Sequence, residues 1–313
     1  MSVVQVQAPG LLTTVQDLGR EGFGPLGVSP SGAADPISLR LGNRLVTNAE
    51  DAAGLEMTLL GGTFLFPDGA ILALAGSDFG TTLDGTIVDP WTSIEARPGQ
   101  TLRLGPVRSG ARCYLCVHGG IAVKSFLGSA STHILSGLGG FEGRPLRKGD
   151  VLRIGSATGS FRKRSIAPQV RDLLSPRKIL RVTAGPQTSC FSESSLRSFY
   201  AGTYRVGEQS NRMGLRLEGA RLTQSSGAEM ITEGVSLGAV QVTRGGLPII
   251  LFVEQQTTGG YPKIANVISA DLHRVGQLRP RDEIRFEQVT METARSLLME
   301  QEKLLASEEI ILE

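Results

Sequence analysis

The chain has 313 residues, 40% of them hydrophobic and 20% charged, with a formal net charge of +2. This excludes a disordered chain and leaves room for two domains or one large β architecture. Near-neutral charge with 5% aromatics is poor material for a nucleic-acid groove, and the longest apolar runs, 70–75 and 247–253, fall far short of the ~20 residues of a membrane helix.

Forty glycines, against about 7% in average usage, lie without a period between short apolar runs. That pattern predicts many tight turns and an all-β protein with a few short helices. Met1-Ser2-Val3-Val4-Gln5 has neither the basic nor the apolar region of a signal peptide. Three cysteines are too few for a disulfide framework. The expectation is a soluble cytoplasmic protein.

In chain order, strands are predicted over 3–7, 62–66, 71–75, 101–104, 113–117 and 151–154, each β-rich or alternating and bounded by Gly, Pro or Asp. They resume over 179–183, 238–242, 249–253 and 283–286. A helix is predicted from Asp35, a capping residue followed by Pro36 at the first helical position, through Leu45. Another is predicted over 192–200, with Gly202 past its end. A third spans 291–305, where Met291, Ala294, Leu298 and Leu305 fall near one face.

Residues 156–178 carry six Lys and Arg side chains beside Pro168 and Pro176 and read as a solvated linker. Leu146-Arg147-Lys148-Gly149-Asp150-Val151-Leu152-Arg153-Ile154 is echoed by Leu278-Arg279-Pro280-Arg281-Asp282-Glu283-Ile284-Arg285-Phe286, 132 residues later. Duplication of a β domain is the expectation, set against a third unit of this type at 97–104, since such units recur in any β protein. The expected organisation is an N-terminal domain over 1–160, a basic linker over 161–178, a C-terminal domain over 179–288 and an amphipathic tail over 289–313.

No Walker loop, dinucleotide fingerprint or nucleophile elbow occurs. Cys113 and Cys116 have C-x-x-C spacing, but on a strand their side chains point to opposite faces, so neither a disulfide nor a metal site is expected. His118, His133 and His273 show no ligand spacing. No metal is predicted.

Three segments concentrate polar chemistry. Glu254-Gln255-Gln256-Thr257-Thr258-Gly259-Gly260-Tyr261-Pro262-Lys263 follows the most apolar strand and offers an acid, amides, hydroxyls, a phenol and an ammonium. Ser210-Asn211-Arg212-Met213-Gly214 sets an Arg fork beside two polar residues, suited to a carbonyl or carboxylate, or else to a structural acid. Near the N-terminus, Asp17 and Arg20 are followed by Ser29 and Ser31 in a long irregular stretch, and Asp17 and Arg20 could equally pair with each other. Gly128-Ser129-Ala130-Ser131-Thr132 reads as an ordinary hydroxyl-rich turn.

The stretches 9–20, 27–35, 210–217 and Gln256-Thr257-Thr258-Gly259-Gly260-Tyr261-Pro262 resemble the biotin-dependent carboxyltransferase/KipA family. That family includes the C subunit of bacterial 5-oxoprolinase, proteins once labelled allophanate hydrolase subunit 2, and the carboxyltransferase portion of urea carboxylase. The resemblance covers about residues 3–286 and implies two cyclophilin-like β barrels. Two positions depart from the family pattern: Glu254 where an Asp is usual, and Arg281 in a turn that usually reads P-G-D.

The resemblance implies an ATP-dependent 5-oxoprolinase component that opens 5-oxoproline to glutamate. It would act only in complex with an A-type subunit, and with a homologous, KipI-like B-type subunit. ATP would then occupy a site shared with the partner. An alternative is carboxyl transfer from carboxybiotin to urea or a similar amide. No lysine follows a methionine, so biotin would come on a separate carrier. A further alternative is a non-enzymatic antagonist of a histidine-kinase inhibitor. A small planar lactam or urea asks for donors at oxygen and acceptors at N–H. Arg212, Gln256 and Lys263 are expected to meet the oxygen, with Glu254 or Asp17 as acceptor or base. Arg20, Ser29, Ser31, Ser210, Asn211, Thr257, Thr258, Gly259, Gly260 and Tyr261 are the expected binding residues, with Tyr261 as a planar wall. All are expected to converge on one cleft.

Overall fold

The computed structural model describes residues 2–156, 161–175, 177–224 and 230–313. Strands dominate, as the glycine spacing predicted, and the chain folds into two compact units. The first comprises Met1–Arg20, Ser31–Ser175 and Ser307–Glu313; the second comprises Glu21–Pro30 and Pro176–Ala306. Neither unit is continuous in sequence.

In the first unit, strands Ile121–Ala122, Val151–Ile154, Val3–Ala8, Thr63–Phe66, Gln100–Arg103, Thr82–Leu83 and Thr86–Ile87 form one antiparallel sheet. Strands Leu12–Gln16, Gly54–Thr58, Arg112–Val117, Ala70–Gly76 and Ser93–Ala96 form a second. Alternate residues of both sheets meet in one core that includes Val4, Val6, Phe64, Leu102, Leu55, Leu72, Leu74 and Leu115. This is the period-2 burial that the sequence alternation encodes.

Cys113 belongs to that core, whereas Cys116 faces the other way, toward helix Pro36–Leu45. There its thiol approaches the Leu39 carbonyl, and a Cβ on Gly42 would sit 2.7 Å from its sulfur. Both cysteines are buried free thiols, and burial pushes both thiols far above the usual cysteine range. The helix begins where expected, with Asp35 accepting from the Ser38 amide at 3.0 Å.

The second unit is a closed barrel of strands Ile179–Ala184, Lys263–Val267, Ala239–Val242, Pro248–Leu251, Gly214–Glu218, Tyr204–Val206 and Glu283–Gln288. The first and last of these close the barrel in parallel, and the other pairings are antiparallel. Helix Glu193–Ala201 packs on Glu283–Gln288 by stacking Phe199 on Phe286 at 4.5 Å. Helix Met291–Ala306 also lies in this unit.

The basic segment carries structure of its own. Strand Ser165–Ile166 pairs with Ile311–Leu312, and helix Pro168–Leu174 buries Val170. Ile166 and Ala167 are buried too, and Arg164 pairs with Glu313. These apolar residues are few and lie among cations, which is why composition reads the segment as solvated. Residues 157–160 and Pro176, which belong to this segment, lie outside the described residues.

Candidate functional site

The polar loop of the second unit is rooted in a buried ion pair. Beyond strands Gly214–Glu218 and Pro248–Leu251 the ladder continues: the Phe252 amide donates to the Met213 carbonyl at 2.9 Å, and the Glu254 amide to the Arg212 carbonyl at 2.8 Å. This register sets Arg212 opposite Glu254, and the Arg212 Nε donates to Glu254 Oε1 at 2.5 Å. Both side chains are nearly inaccessible, at 4% and 3%. Two residues expected to act separately on a substrate therefore face each other, the structural-acid alternative for Arg212.

Ser210 and Asn211 close the turn before Arg212. The Ser210 hydroxyl accepts from the Arg216 amide at 3.1 Å, and Asn211 Oδ1 accepts from the Met213 amide at 2.9 Å. Their polar groups serve the backbone, as short hydroxyl and amide side chains in turns do. Ser29 is buried and donates to the Val253 carbonyl at 3.1 Å, within the same unit.

After Glu254 the loop doubles back. Thr258–Gly259 pairs with Glu233–Gly234, and the Val235 amide donates to the Thr257 carbonyl at 3.1 Å. Gln256, Thr258, Gly260 and Tyr261 are exposed, Thr257 is half-buried and Gly259 is buried. Gln255 is 5% exposed; its amide nitrogen donates to the Val235 carbonyl at 3.3 Å, while its Oε1 is buried without a hydrogen-bond partner among the described residues. Lys263 is buried and its ammonium is bonded to Glu233, which also accepts from Gln187 at 2.7 Å. The Lys263 ammonium holds the Glu233 carboxyl below the usual carboxylate range.

Asp17, Arg20 and Ser31 belong to the first unit. Asp17 Oδ1 accepts from the Gly19 amide at 2.8 Å and from the Ser129 and Ser131 hydroxyls at 2.6 and 2.5 Å. Its Oδ2 accepts from the Ala130 amide at 2.5 Å. Arg20 donates to the Phe126 and Ser131 carbonyls, with its guanidinium 5.6 Å from the Phe126 ring centre. Asp17 and Arg20 thus share Ser131, one holding its hydroxyl and the other its carbonyl. Ser31 is buried with a left-handed φ of 55°, and its hydroxyl has no hydrogen-bond partner among the described residues.

Sequence reading missed Glu233 and Gln187, which lie outside the loop and follow no spacing rule. It also took the Ser129 and Ser131 hydroxyls for an ordinary turn. Their one visible signal was the density of hydroxyls over 129–132. Among the described residues, no group of three or more His, Cys, Asp or Glu side chains is arranged to hold a metal ion. Nor is any helix among them long and apolar enough to cross a membrane.

Residues 26–288 match the family described as carboxyltransferase domain, subdomain A and B. The chain belongs to this family. It is 39% identical to the C subunit of 5-oxoprolinase from Escherichia coli strain K12 over 303 residues, 96% of each chain. To urea amidolyase of Saccharomyces cerevisiae it is 35% identical over 98% of this chain and 18% of the yeast protein. The fold matches the crystal structure of the K. lactis urea amidolyase with a TM-score of 0.90 and 33% identity, over 99% of this chain. The chain spans about a fifth of that structure's length, 21%.

Proposed function

We propose that this chain is the C subunit of an ATP-dependent 5-oxoprolinase, opening 5-oxoproline to glutamate together with A-type and homologous B-type subunits. The observation that carries this reading is the 39% identity to a 5-oxoprolinase C subunit over 96% of both chains. The loop chemistry supports it. Gln256, Thr257, Thr258 and Tyr261 present an amide, two hydroxyls and a phenol above a base fixed by the Arg212–Glu254 and Lys263–Glu233 pairs. On this reading Gln256 and the threonines touch the small planar substrate, Tyr261 forms a wall, and the two ion pairs hold the loop rigid beneath them.

A triphosphate does not fit this loop. The cations that could bind it, Arg212 and Lys263, already face Glu254 and Glu233. On this reading ATP occupies a site shared with a partner subunit rather than this loop.

The test is reconstitution with the A- and B-type subunits, followed by measurement of ATP hydrolysis and glutamate release. Turnover that depends on 5-oxoproline and on this chain is the expected result. The likeness to urea amidolyase, at a TM-score of 0.90, supports a second reading, carboxyl transfer from a separately carried carboxybiotin to a urea-like amide. Carboxylation of urea by the same preparation when supplied with carboxybiotin, with 5-oxoproline inert, would replace the first reading with the second.

A further inference from the structure

Gln241 lies beneath the loop, on strand Ala239–Val242, and is 1% exposed. The ladder to Lys263–Val267 slips at this residue: Val240 pairs with Ala265 but Gln241 pairs with Lys263. Such a bulge re-aims the side chain at the slip, and here the Gln241 amide reaches both ends of the loop. Its Nε2 donates to the Tyr261 carbonyl at 3.2 Å, and its Oε1 accepts from Gln256 Nε2 at 3.4 Å. The loop backbone closes onto it, since a Cβ on Gly259 would lie 2.7 Å from Gln241 Nε2. A side chain at 259 would displace that amide, and glycine leaves it room.

The chemistry of these contacts fixes a polarity. A backbone carbonyl only accepts, so the Gln241 end facing Tyr261 must be its NH2 group. The opposite end of the same amide, its oxygen, then faces Gln256. That oxygen also only accepts, so Gln256 must turn its own NH2 inward. The carbonyl oxygen of Gln256 is the end of that amide not engaged with Gln241.

We infer that Gln241 is a positioning residue that orients Gln256 as a hydrogen-bond acceptor, for the ring N–H of the lactam rather than for its oxygen. This reverses the donor role that the sequence suggested for Gln256, and it rests on the lactam reading above. It also accounts for a buried glutamine on a barrel strand, which an apolar residue would otherwise fill more favourably.

The test compares binding of 5-oxoproline with its ring-oxygen analogue, the γ-lactone of 2-hydroxyglutarate, to the assembled complex without ATP. The lactone matches the lactam in shape but has no N–H to donate. Wild type should prefer the lactam by about 3- to 10-fold, the worth of one neutral hydrogen bond. Gln256→Met and Gln241→Met should each bring the ratio close to one, whereas a purely structural role for Gln241 would weaken both ligands equally. A preference that survives Gln256→Met, whose site is exposed and tolerant, overturns the acceptor assignment.

A readout without ligand separates this inference from the function it rests on. In the 15N-labelled chain, the Gln256 side-chain amide resonances should move in Gln241→Met, and unmoved resonances overturn the clamp. A wild-type complex that binds neither compound overturns the lactam reading and the acceptor role with it, while the clamp is still decided by the resonances.

Discussion

Gly149 and Arg281 occupy the same place in two copies of one turn, both in the left-handed region, at φ of 93° and 74°. In the first copy the Arg147 amide donates to Asp150 at 2.7 Å and the Asp150 amide returns to the Arg147 carbonyl at 3.2 Å. In the second the Arg279 amide donates to Asp282 at 3.0 Å and the Asp282 amide to the Arg279 carbonyl at 3.1 Å. Strands Val151–Ile154 and Glu283–Gln288 follow directly. The sequence echo is therefore a structural echo, and the missing glycine leaves an arginine in a conformation that costs it roughly 1–2 kcal/mol.

Arg281→Gly should stabilise the second unit. The gain in backbone strain is offset by loss of the exposed Arg281–Glu208 pair at 2.7 Å, worth about 0–1 kcal/mol, and by the added freedom of glycine in the unfolded chain. A net gain of roughly 0.5 kcal/mol is expected, read as a higher urea midpoint for the barrel transition. A lower midpoint would show that the turn at 281 accommodates a side chain without strain.

The Arg212–Glu254 pair makes a sharper prediction. Removing one partner leaves a charge in a site that is 3–4% accessible, so Arg212→Met should cost about 3–5 kcal/mol. Replacing both, with Arg212→Met and Glu254→Leu, should recover most of that loss, because two apolar side chains leave no stranded charge. Urea denaturation of the three variants checks it, and a double variant as unstable as the single one would contradict the argument.

Much of this was legible in the sequence, for identifiable reasons. Helix Glu193–Ala201 lies within one residue of its expected ends because Ser192 caps it through the Ser195 amide and Gly202 follows it. Strand Arg112–Val117, buried throughout, stood out as a short apolar run, and its two-faced cysteines follow from the alternation of side chains along a strand. Helix Pro168–Leu174 was not legible, since its single buried side chain, Val170, gives no periodic stripe. The loop at 254–263 stood out by composition, but what its side chains do was hidden. Arg212, Glu254, Lys263 and Gln256 are engaged by one another or by Glu233 and Gln241, and such pairings depend on barrel register rather than on local spacing.

Acid stability should show the Arg144–Asp150 contact. Two nitrogens of Arg144 reach the two Asp150 oxygens at 2.8 and 3.0 Å. The Arg144 guanidinium, opposed by partial burial, holds the Asp150 carboxyl below the usual carboxylate value of 3.8. A folded-state pKa below the unfolded one gives stability that is complete above that unfolded value and is lost as pH falls through the folded value. The difference in urea midpoint between wild type and Asp150→Asn should therefore be constant from neutral pH down to the ordinary carboxylate range, then shrink below it. A difference that stays constant into strong acid would show that the ion pair does not supply the stability.

Asp17 allows a general base to be told from an anchor. Its two oxygens together accept from four donors, three on Oδ1 and the Ala130 amide on Oδ2. An asparagine here has no good orientation, because either oxygen position it vacates becomes an NH2 facing an N–H or O–H donor. A clash of donors with loss of a buried acceptor costs about 1–3 kcal/mol, more when the acceptor was charged. As an anchor tying the end of strand Leu12–Gln16 to residues 129–131, Asp17 should make Asp17→Asn less stable by at least that amount. In the assembled complex, any residual turnover should keep the wild-type pH profile. A variant of wild-type stability that abolishes turnover would instead identify Asp17 as the group that takes the substrate proton. Melting curves of the chain beside the pH–rate profile of the complex decide between the two.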